Sequence, residues 1–316
     1  MKKAIIVWAG WQDGTIMLNF LKEKKYAILW IDRSKIISIG EEFAKYNNEI
    51  IDILNSNRID KLIESTKPDE IYYLAAYHHS SQDILEENNI LLENSYNIHV
   101  KGYVNFLEAI RKYSLTTKIF YASSCLIFGW TETKIQDENT PPCPNSIYWI
   151  TKLDWMFLWK LYRDNHNIFT SSWILYNHES EYRSSKFISM KIIQWALDIK
   201  NWKSEKLTIG DLSAQVDRWY AYDYIEAMHS MLQQKTPDDF IVSSWETHTV
   251  QELVEIVFGY LWLDWQKHIM TDKNIIQRKK WILFGNNSKI TRDTWFKPKI
   301  KFQNMIINII NEILKK

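Results

Sequence analysis

The chain has 316 residues, with 39 basic and 38 acidic side chains and a formal net charge of +1. This length allows a large α/β core, and the balanced charge excludes the basic surface typical of proteins that bind nucleic acid or anionic membranes, so a small molecule is the expected ligand. Two cysteines are too few for a disulfide framework, and the apolar run at 4–7 is too short for a signal peptide or membrane span, so we expect a cytoplasmic location.

Strands and helices are predicted to alternate along the first part of the chain. A strand at 3–7 precedes a turn and a helix through Leu18 and Leu21. Further strands are predicted at 26–31, 51–53, 71–75, 118–122 and 169–176, and further helices at 59–65, 98–113 and 146–165. This alternation indicates an α/β fold, a Rossmann-type doubly wound parallel sheet, in residues 1–176. Residues 177–316 are predicted to form a smaller C-terminal α/β substrate-binding lobe, interleaved with the Rossmann core.

The turn after the first strand has the spacing of a dinucleotide-binding loop. It reads Trp8-x-x-Trp11-x-x-Gly14, with Gln12 and Asp13 before the glycine. With glycine at the two tryptophan positions it would be a complete G-x-x-G-x-x-G loop, which binds pyrophosphate at the N-terminus of the following helix. We therefore predict that these residues bind a nicotinamide cofactor, NADP or NAD.

Two further segments are predicted to contact this cofactor. Asp32, at the end of the second strand, would accept a hydrogen bond from the ribose 2′-hydroxyl of NAD, whereas Arg33 would pair with the 2′-phosphate of NADP. The two residues thus favour different cofactors, and they could also be a solvated charge pair. Leu74, Ala75 and Ala76 match an apolar wall beside the cofactor, although ordinary core residues would look the same.

Glycine is scarce and tryptophan abundant in this chain. It has 8 glycines and 16 tryptophans, where average usage gives about 22 glycines and about 3 or 4 tryptophans. Eight tryptophans lie where the local sequence favours glycine: Trp8, Trp11, Trp30, Trp149, Trp202, Trp219, Trp245 and Trp295. One codon, UGA, can account for such an exchange, so we hypothesise that the gene's own lineage reads UGA as glycine. The alternative is a naturally tryptophan-rich protein.

A catalytic pair is predicted at the start of the helix at 146–165. Tyr148 and Lys152 are four residues apart, which places both side chains on one helix face, where an ammonium group lowers the pKa of a phenol. Ser124, just after the strand at 118–122, would hydrogen-bond the reacting oxygen. The alternative is a surface tyrosine and an ordinary helix lysine. Adjacent His78 and His79 lack a second group of ligands, so we predict no metal site.

These motifs resemble the GDP-mannose 4,6-dehydratase family of extended short-chain dehydrogenases/reductases, within the NAD-dependent epimerase/dehydratase group. The resemblance covers nearly the whole chain, and its most specific segments are 12–14, 67–72, 175–180 and 238–240. It implies a lyase in nucleotide-sugar metabolism, a GDP-sugar substrate and a homo-oligomer. It also implies that Asn177, Lys191 and Arg278 contact the nucleotide and its diphosphate, for which cationic side chains are suited.

Two positions depart from the family. Leu126 stands where the dehydratases have an acidic residue, and leucine cannot protonate a leaving hydroxyl. Val216 stands where the family has an arginine, and Arg218 could replace it in substrate binding. We expect a 4,6-dehydratase that acts through transient C4 oxidation. Leu126 keeps a sugar-nucleotide 4-epimerase or 4-keto reductase as the alternative, and a non-catalytic dinucleotide sensor is a third reading that the retained Ser124, Tyr148 and Lys152 argue against.

Overall fold

The computed structural model describes residues 1–8, 10–33, 35–47, 49–77, 86–129, 131–272, 275 and 282–316, without the side chain of Trp155. The strands are β1 (Lys3–Val7), β2 (Ala27–Ile31), β3 (Ile36–Ile39), β4 (Glu70–Tyr73), β5 (Lys118–Ala122), β6 (Thr170–Leu175), β7 (Asn177–Glu179), β8 (Leu207–Ile209), β9 (Gln215–Val216), β10 (Arg218–Tyr220), β11 (Asp239–Val242), β12 (His248–Thr249) and β13 (Ile269–Thr271). The α-helices are α1 (Gln12–Glu23), α2 (Ser56–Thr66), α3 (Asn88–Tyr96), α4 (Gly102–Tyr113), α5 (Ile147–His166), α6 (Ile188–Lys200), α7 (Ala221–Leu232), α8 (Val250–Tyr260), α9 (Trp265–His268), α10 (Ser288–Thr294) and α11 (Phe302–Leu314).

The main feature is a seven-stranded sheet in the order β11-β6-β5-β4-β1-β2-β3. Neighbouring strands are parallel except for β3, which runs antiparallel to β2. The strand order reverses between β1 and β4. In doubly wound sheets, ligands bind outside the carboxyl ends of the strands at such a reversal. The structure therefore confirms the predicted fold class and indicates where a ligand site should lie.

Both faces of this sheet are buried, as β1 shows. Ala4 and Ile6 belong to one apolar cluster, whereas Ile5 and Val7 belong to the cluster on the other face. Alternate residues of a strand point to opposite faces, so a strand between two helical layers must be apolar at every position. This requirement explains the uninterrupted apolar run that identified the first strand in the sequence.

One predicted strand is wrong, and one strand was not predicted. The segment at 51–53 is not a strand, although Ile51 and Ile53 are buried. Its apolar pattern reflects packing against the core without a hydrogen-bonded ladder. The sequence analysis also missed β3, an edge strand whose residues are only partly buried. By contrast, the strand predicted at 118–122 coincides with β5, and the helix predicted at 146–165 differs from α5 by one residue at each end.

The second part of the chain adds a strand to the main sheet and forms smaller sheets beside it. Strand β11 pairs with β6 and completes the main sheet, while three small two-stranded sheets join β10 with β7, β12 with β9 and β13 with β8. The division into a Rossmann domain at 1–176 and an interleaved substrate-binding lobe at 177–316 stays a prediction. In the described part of the chain, no helix is long and apolar enough to cross a membrane.

Tryptophan is over-represented at one backbone conformation. Among the described residues, eight non-glycine residues have positive φ, and five of them are tryptophans: Trp8 (58°), Trp202 (59°), Trp245 (64°), Trp262 (62°) and Trp295 (61°). The others are Lys25, Lys67 and Asn167. This left-handed region is unusual for any residue with a Cβ atom and a clear outlier for a bulky one. The sequence analysis identified four of these tryptophans and missed Trp262.

Candidate active site

The predicted dinucleotide loop lies at the carboxyl end of β1. Trp8 directly follows the strand, and the guanidinium carbon of Arg33 lies 4.0 Å from the centre of its ring. Trp11 is the N-cap residue of α1, forms no side-chain capping bond and is 57% exposed. Gly14 lies buried in the first turn of the helix. The backbone therefore runs from strand to helix N-terminus as the motif predicts, and the two indole side chains are its unusual feature.

The side chains of Gln12 and Asp13 connect this loop to the second part of the chain. Gln12 Nε2 donates to the backbone oxygen of His178 (3.1 Å), and Ser180 Oγ donates to Gln12 Oε1 (2.8 Å). Asp13 Oδ2 lies 2.9 Å from His178 Nε2. Burial would raise the pKa of Asp13, but the charge and hydrogen bond of His178 hold that pKa below its usual value. The side chains of Gln12 and Asp13 thus position the Asn-His-Glu-Ser segment at 177–180.

The other predicted cofactor residues lie at the same edge of the sheet. Asp32 follows β2, and a Cβ atom added to Gly10 would stand 2.4 Å from Asp32 Oδ2, so a larger residue at position 10 would displace the Asp32 carboxylate. The segment at 74–76 follows β4, where the Leu74 amide donates to the backbone oxygen of Val7. The carboxyl ends of β1, β2 and β4 therefore bring the loop, Asp32 and the apolar wall together.

Ser124 and the side chain of Lys152 lie at the end of β5, and Tyr148 is on the same helix as Lys152. Ser124 starts a short 3₁₀ helix (Cys125–Phe128), and its Oγ accepts a hydrogen bond from the Leu126 amide (3.3 Å). Lys152 Nζ donates to the backbone oxygen of Ala122 (2.9 Å), two residues before Ser124. Tyr148 lies one turn before Lys152 on α5. The structure thus anchors the helix that carries the predicted pair against the strand that carries the predicted serine.

Burial shifts the pKa values of both Tyr148 and Lys152. It lowers the pKa of the Lys152 ammonium to about 7 and raises that of the Tyr148 phenol, which the nearby Arg183 guanidinium partly offsets. Arg183 also lies 3.6 Å from Glu179 and is a site residue that the sequence analysis missed. The available signal was its position, three residues after the Asn-His-Glu-Ser segment.

The structure describes three of the four predicted substrate-binding residues. Asn177 opens β7, and its Nδ2 donates to the backbone oxygen of Asp217 (3.4 Å). Lys191 is a partly buried residue of α6. Arg218 lies in β10 and is only 1% exposed, and its role in substrate binding stays a prediction. Arg278 lies outside the described residues.

Leu126 lies two residues after the predicted catalytic Ser124, and its backbone amide donates to the Ser124 hydroxyl. It lies in the 3₁₀ helix that Ser124 begins, partly buried against an apolar cluster that includes Cys125, Ile127 and Phe128. An apolar side chain is stable in these surroundings but cannot transfer a proton. The departure noted in the sequence therefore lies within the candidate active site.

The carboxyl edge of the sheet fits a nicotinamide dinucleotide in all but two side chains. The N-terminus of α1 has no side-chain cap and suits a pyrophosphate, and Asp32 suits a ribose hydroxyl. Trp8 and Trp11, however, occupy the loop positions where glycine lets the backbone approach the pyrophosphate. The loop fits the cofactor with glycine at both positions and does not fit it with tryptophan.

Comparison with known proteins is consistent with this geometry. The model of the family GDP-mannose 4,6 dehydratase matches residues 9–309. GDP-mannose 4,6 dehydratase 1 of Arabidopsis thaliana is 30% identical over 331 residues, covering 99% of this chain and 90% of the relative. GDP-mannose 4,6 dehydratase of Homo sapiens is 32% identical over 272 residues, covering 82% of this chain and 72% of the relative.

Solved structures agree in fold. RMD from Pseudomonas aeruginosa, complexed with NADPH, has a TM-score of 0.82 at 17% identity and covers 100% of this chain and 99% of its own. dTDP-glucose 4,6-dehydratase from Bacillus anthracis, in complex with NAD, has a TM-score of 0.80 at 17% identity, with coverage of 100% and 97%. Since the family model spans nearly the whole sequence, the chain belongs to the GDP-mannose 4,6-dehydratase family.

Proposed function

We propose that the protein is an NAD(P)-dependent sugar-nucleotide 4,6-dehydratase acting on GDP-mannose or a related GDP-sugar. The observation that carries this proposal is family membership across residues 9–309. The geometry supports it, because the segment at 177–180 is tied to the dinucleotide loop through Gln12 and Asp13. A sugar nucleotide held by that segment would lie beside the predicted catalytic residues at the same edge of the sheet.

The chain's own residues supply the acid–base chemistry. The loop at 8–14, Asp32 and the wall at 74–76 would hold a nicotinamide cofactor, which would supply hydride transfer to and from the sugar. Tyr148 would take the proton from the C4 hydroxyl, and Ser124 Oγ would hydrogen-bond the same oxygen. Lys152 would stabilise the phenolate by its charge and thereby oppose the effect of burial on Tyr148.

Loss of water from C6 is the step for which the described site lacks an evident acid. It requires a base that removes the C5 proton and an acid that protonates the departing C6 hydroxyl, and Leu126 occupies the place of the family's acidic residue. Oxidation and reduction at C4 alone would give a 4-epimerase or a 4-keto reductase, and Leu126 is the observation that favours this second candidate function.

For the cofactor, we propose NADP first. Arg33 stays at the edge of the site, over the ring of Trp8, where it could pair with a 2′-phosphate. Asp32, against Gly10, supports NAD instead. Measuring Kd for NADPH and NADH in a protein with glycine at positions 8 and 11, with and without Arg33→Ala, tests the choice, because a selective loss of NADPH binding is expected. Equal loss for both cofactors would contradict it.

We also propose a homo-oligomer formed through α5. Ile150, Phe157 and Leu161 are 44%, 68% and 46% exposed, and their spacing places them near one face of the helix. Exposed apolar stripes of this kind commonly form interfaces. We expect Phe157→Glu to lower the mass measured by light scattering, with exposed Lys160→Glu as a matched control on the same helix.

The function is tested in a glycine variant, defined as the chain with Trp8, Trp11, Trp202, Trp245, Trp262 and Trp295 all changed to glycine. This variant is incubated with GDP-mannose and NADP, and the sugar nucleotide is analysed by mass spectrometry, with Tyr148→Phe in the same background as control. A product lighter by one water, absent in the control, supports the dehydratase. An isomer of unchanged mass favours the epimerase, and an unchanged substrate contradicts the proposed function for GDP-mannose.

A further inference from the structure

Three of the positive-φ tryptophans end helices. Trp202 N–H donates to the Ile199 oxygen (3.0 Å), and Lys203 N–H donates to the Asp198 oxygen (2.8 Å). These are the two bonds of the Schellman motif, whose left-handed position is usually glycine. At the end of α8 the corresponding bonds join Trp262 to Gly259 (3.1 Å) and Leu263 to Phe258 (2.9 Å).

The third helix end has the simpler form of this cap. Trp295 N–H donates to the Thr291 oxygen (3.0 Å), four residues back, which is the single bond of the left-handed cap. The side chains at these ends contribute little packing: Trp202, Trp262 and Trp295 are 95%, 92% and 87% exposed. Nothing in the packing therefore compensates for an unfavourable backbone conformation, whereas glycine would adopt it freely.

The remaining two lie in turns. Trp8 has positive φ where the dinucleotide loop leaves β1, which is where the first glycine makes a tight turn. Trp245 has positive φ in the turn between Ser244 and Glu246, where Glu246 N–H donates to Ser244 Oγ (3.0 Å). Five separate sites, in a loop, a turn and three helix ends, thus require the same backbone freedom.

We propose that glycine occupies positions 8, 202, 245, 262 and 295 in the protein made by its own cells, because UGA codons at these positions are read there as glycine. The proposal rests on the backbone and is independent of the enzyme's activity. It also removes the misfit of Trp8 at the cofactor loop, whereas Trp11 has a φ of −102° and lies outside the backbone argument. Trp30, Trp149 and Trp219 lie in a strand or helix without positive φ, so the backbone gives no reason to assign glycine there.

Trp265 provides an internal control. It is the first residue of α9, has no positive φ and packs partly buried against the main core. Trypsin releases it together with two of the proposed glycines, because the segment at 236–267 contains no lysine or arginine before Lys267. One peptide therefore reports on positions 245, 262 and 265.

The experiment is peptide mass spectrometry on the protein purified from its source cells, with the gene's codons read alongside. We expect glycine at 245 and 262 with tryptophan at 265, and UGA at all five proposed positions. Tryptophan in that peptide at 245 or 262, or UGG at the proposed positions, would overturn the proposal.

A second inference comes from a buried chain of hydrogen bonds at His99. This residue lies in a π-helical turn (Asn97–Lys101) between α3 and α4 and is fully buried. The Tyr77 backbone N–H donates to His99 Nε2 (3.0 Å), and His99 Nδ1 lies 2.9 Å from Thr151 Oγ1. Thr151 Oγ1 donates to the backbone oxygen of Tyr148 (3.1 Å).

These bonds determine which ring nitrogen carries the proton. A backbone N–H can only donate, so Nε2 must accept, and the proton of the neutral ring is on Nδ1. Nδ1–H then donates to Thr151 Oγ1, and the Thr151 hydroxyl donates in turn to the backbone oxygen of Tyr148. The His99 ring also contacts the Tyr148 ring edge to face, with 5.0 Å between centres. Tyr77 directly follows the predicted cofactor wall at 74–76.

We infer that His99 is a positioning residue that fixes the distance between Tyr148 and the cofactor wall, an inference that rests on the proposed function. Small displacements of a reacting group lower turnover strongly, up to about a hundredfold for roughly 1 Å. Three substitutions of His99, each made in the glycine variant, distinguish the effects of its two hydrogen bonds. His99→Phe keeps a ring but loses both bonds, His99→Asn can keep the bond to Thr151, and His99→Gln can keep the bond to Tyr77.

The tautomer is measured first, by ¹⁵N NMR of histidine-labelled protein, with His99→Phe assigning the signal. A neutral ring protonated on Nδ1 is expected, and protonation on Nε2 would overturn the inference whether or not any sugar nucleotide is turned over. For activity, we expect His99→Phe to lower kcat about tenfold or more with little change in KM, and the other two variants to recover part of it. Unchanged kcat in a folded His99→Phe protein would overturn the positioning role.

If the parent glycine variant turns over no GDP-sugar, the proposed function fails, but His99 can still be tested. The Kd for NADPH then replaces kcat, because Tyr77 adjoins the wall. A several-fold weaker Kd in His99→Phe than in the parent supports the inference, and an equal Kd overturns it.

Discussion

Replacing Trp262 by glycine should stabilise the protein, which is unusual for the removal of a large side chain. Trp262 follows α8 with φ of 62° and is 92% exposed. Its indole therefore buries little surface that the substitution could lose. The substitution leaves both backbone hydrogen bonds of the helix end in place, because neither involves the side chain.

The expected magnitude follows from the backbone. A residue with a Cβ atom pays about 1–2 kcal/mol in the left-handed conformation. Glycine avoids this cost but makes the unfolded chain more flexible, which offsets about 0.4–1 kcal/mol. The net expectation for Trp262→Gly is a gain of about 0.5–1 kcal/mol in the free energy of unfolding. Trp202→Gly and Trp295→Gly, at two other helix ends, should each give a similar gain, and the three should be roughly additive.

Urea denaturation of three single variants tests this reasoning. Trp262→Ala retains Cβ and should gain much less than Trp262→Gly. Trp265→Gly, at a helical position with normal φ, should lose about 1 kcal/mol in helix propensity together with its packing. If alanine and glycine at 262 were equally stable, or if glycine were less stable than tryptophan, the backbone argument would be refuted.

Three further predictions concern the site. In the glycine variant, Leu126→Glu should raise the rate of water loss by about a hundredfold or more, measured by mass spectrometry of the product, while Leu126→Gln should not; equal rates would mean that another group supplies the proton. Burial lowers the pKa of Lys152 from 10.5 to about 7, so the unfolded chain binds more protons between these values and stability should rise with pH across this window. Lys152→Met should abolish turnover and gain on the order of 4 kcal/mol of stability at pH 6 relative to pH 10, and a gain independent of pH would contradict the burial of a titrating lysine. Asp13→Asn should cost about 1–3 kcal/mol at pH 7. Burial opposes the charged form, but His178 holds the pKa of Asp13 below its usual value, so this difference should disappear only as pH falls through that lower value, and urea titrations at a series of pH values below 7 measure it.

The fold was predictable because its strands are buried on both faces. The run at 118–122 is apolar or aromatic in all but its first residue, and such a run between turn residues has few other interpretations. The errors in the predicted elements also arise from reading burial as secondary structure. Ile51 and Ile53 are as buried as strand residues, yet lie in irregular backbone, because burial alone does not require a ladder. Trp262 escaped notice because the apolar sequence around it, from Tyr260 to Leu263, conceals the end of α8.

The site was predictable in its types of residue but not in its connections. Motif spacing identified Ser124, Tyr148 and Lys152 as candidates. No pattern in a single sequence joins Asp13 to His178, which are 165 residues apart, or His99 to Thr151, which are 52 apart. The burial of Arg218 was likewise hidden, because a charged residue is expected at the surface. These features depend on how strands from distant parts of the chain are brought together.

The position of β11 has a consequence for how the chain folds. The main sheet receives its last strand from residues 239–242, after the chain has already formed β7 to β10 elsewhere. Strand β6 ends at Leu175 and β11 begins at Asp239, more than sixty residues later. During synthesis, one edge of β6 therefore stays unpaired until β11 has been made. Open edges pair readily with other chains. A nascent chain released near Tyr176 would carry such an edge, so premature termination should produce aggregates rather than a small folded dinucleotide-binding domain.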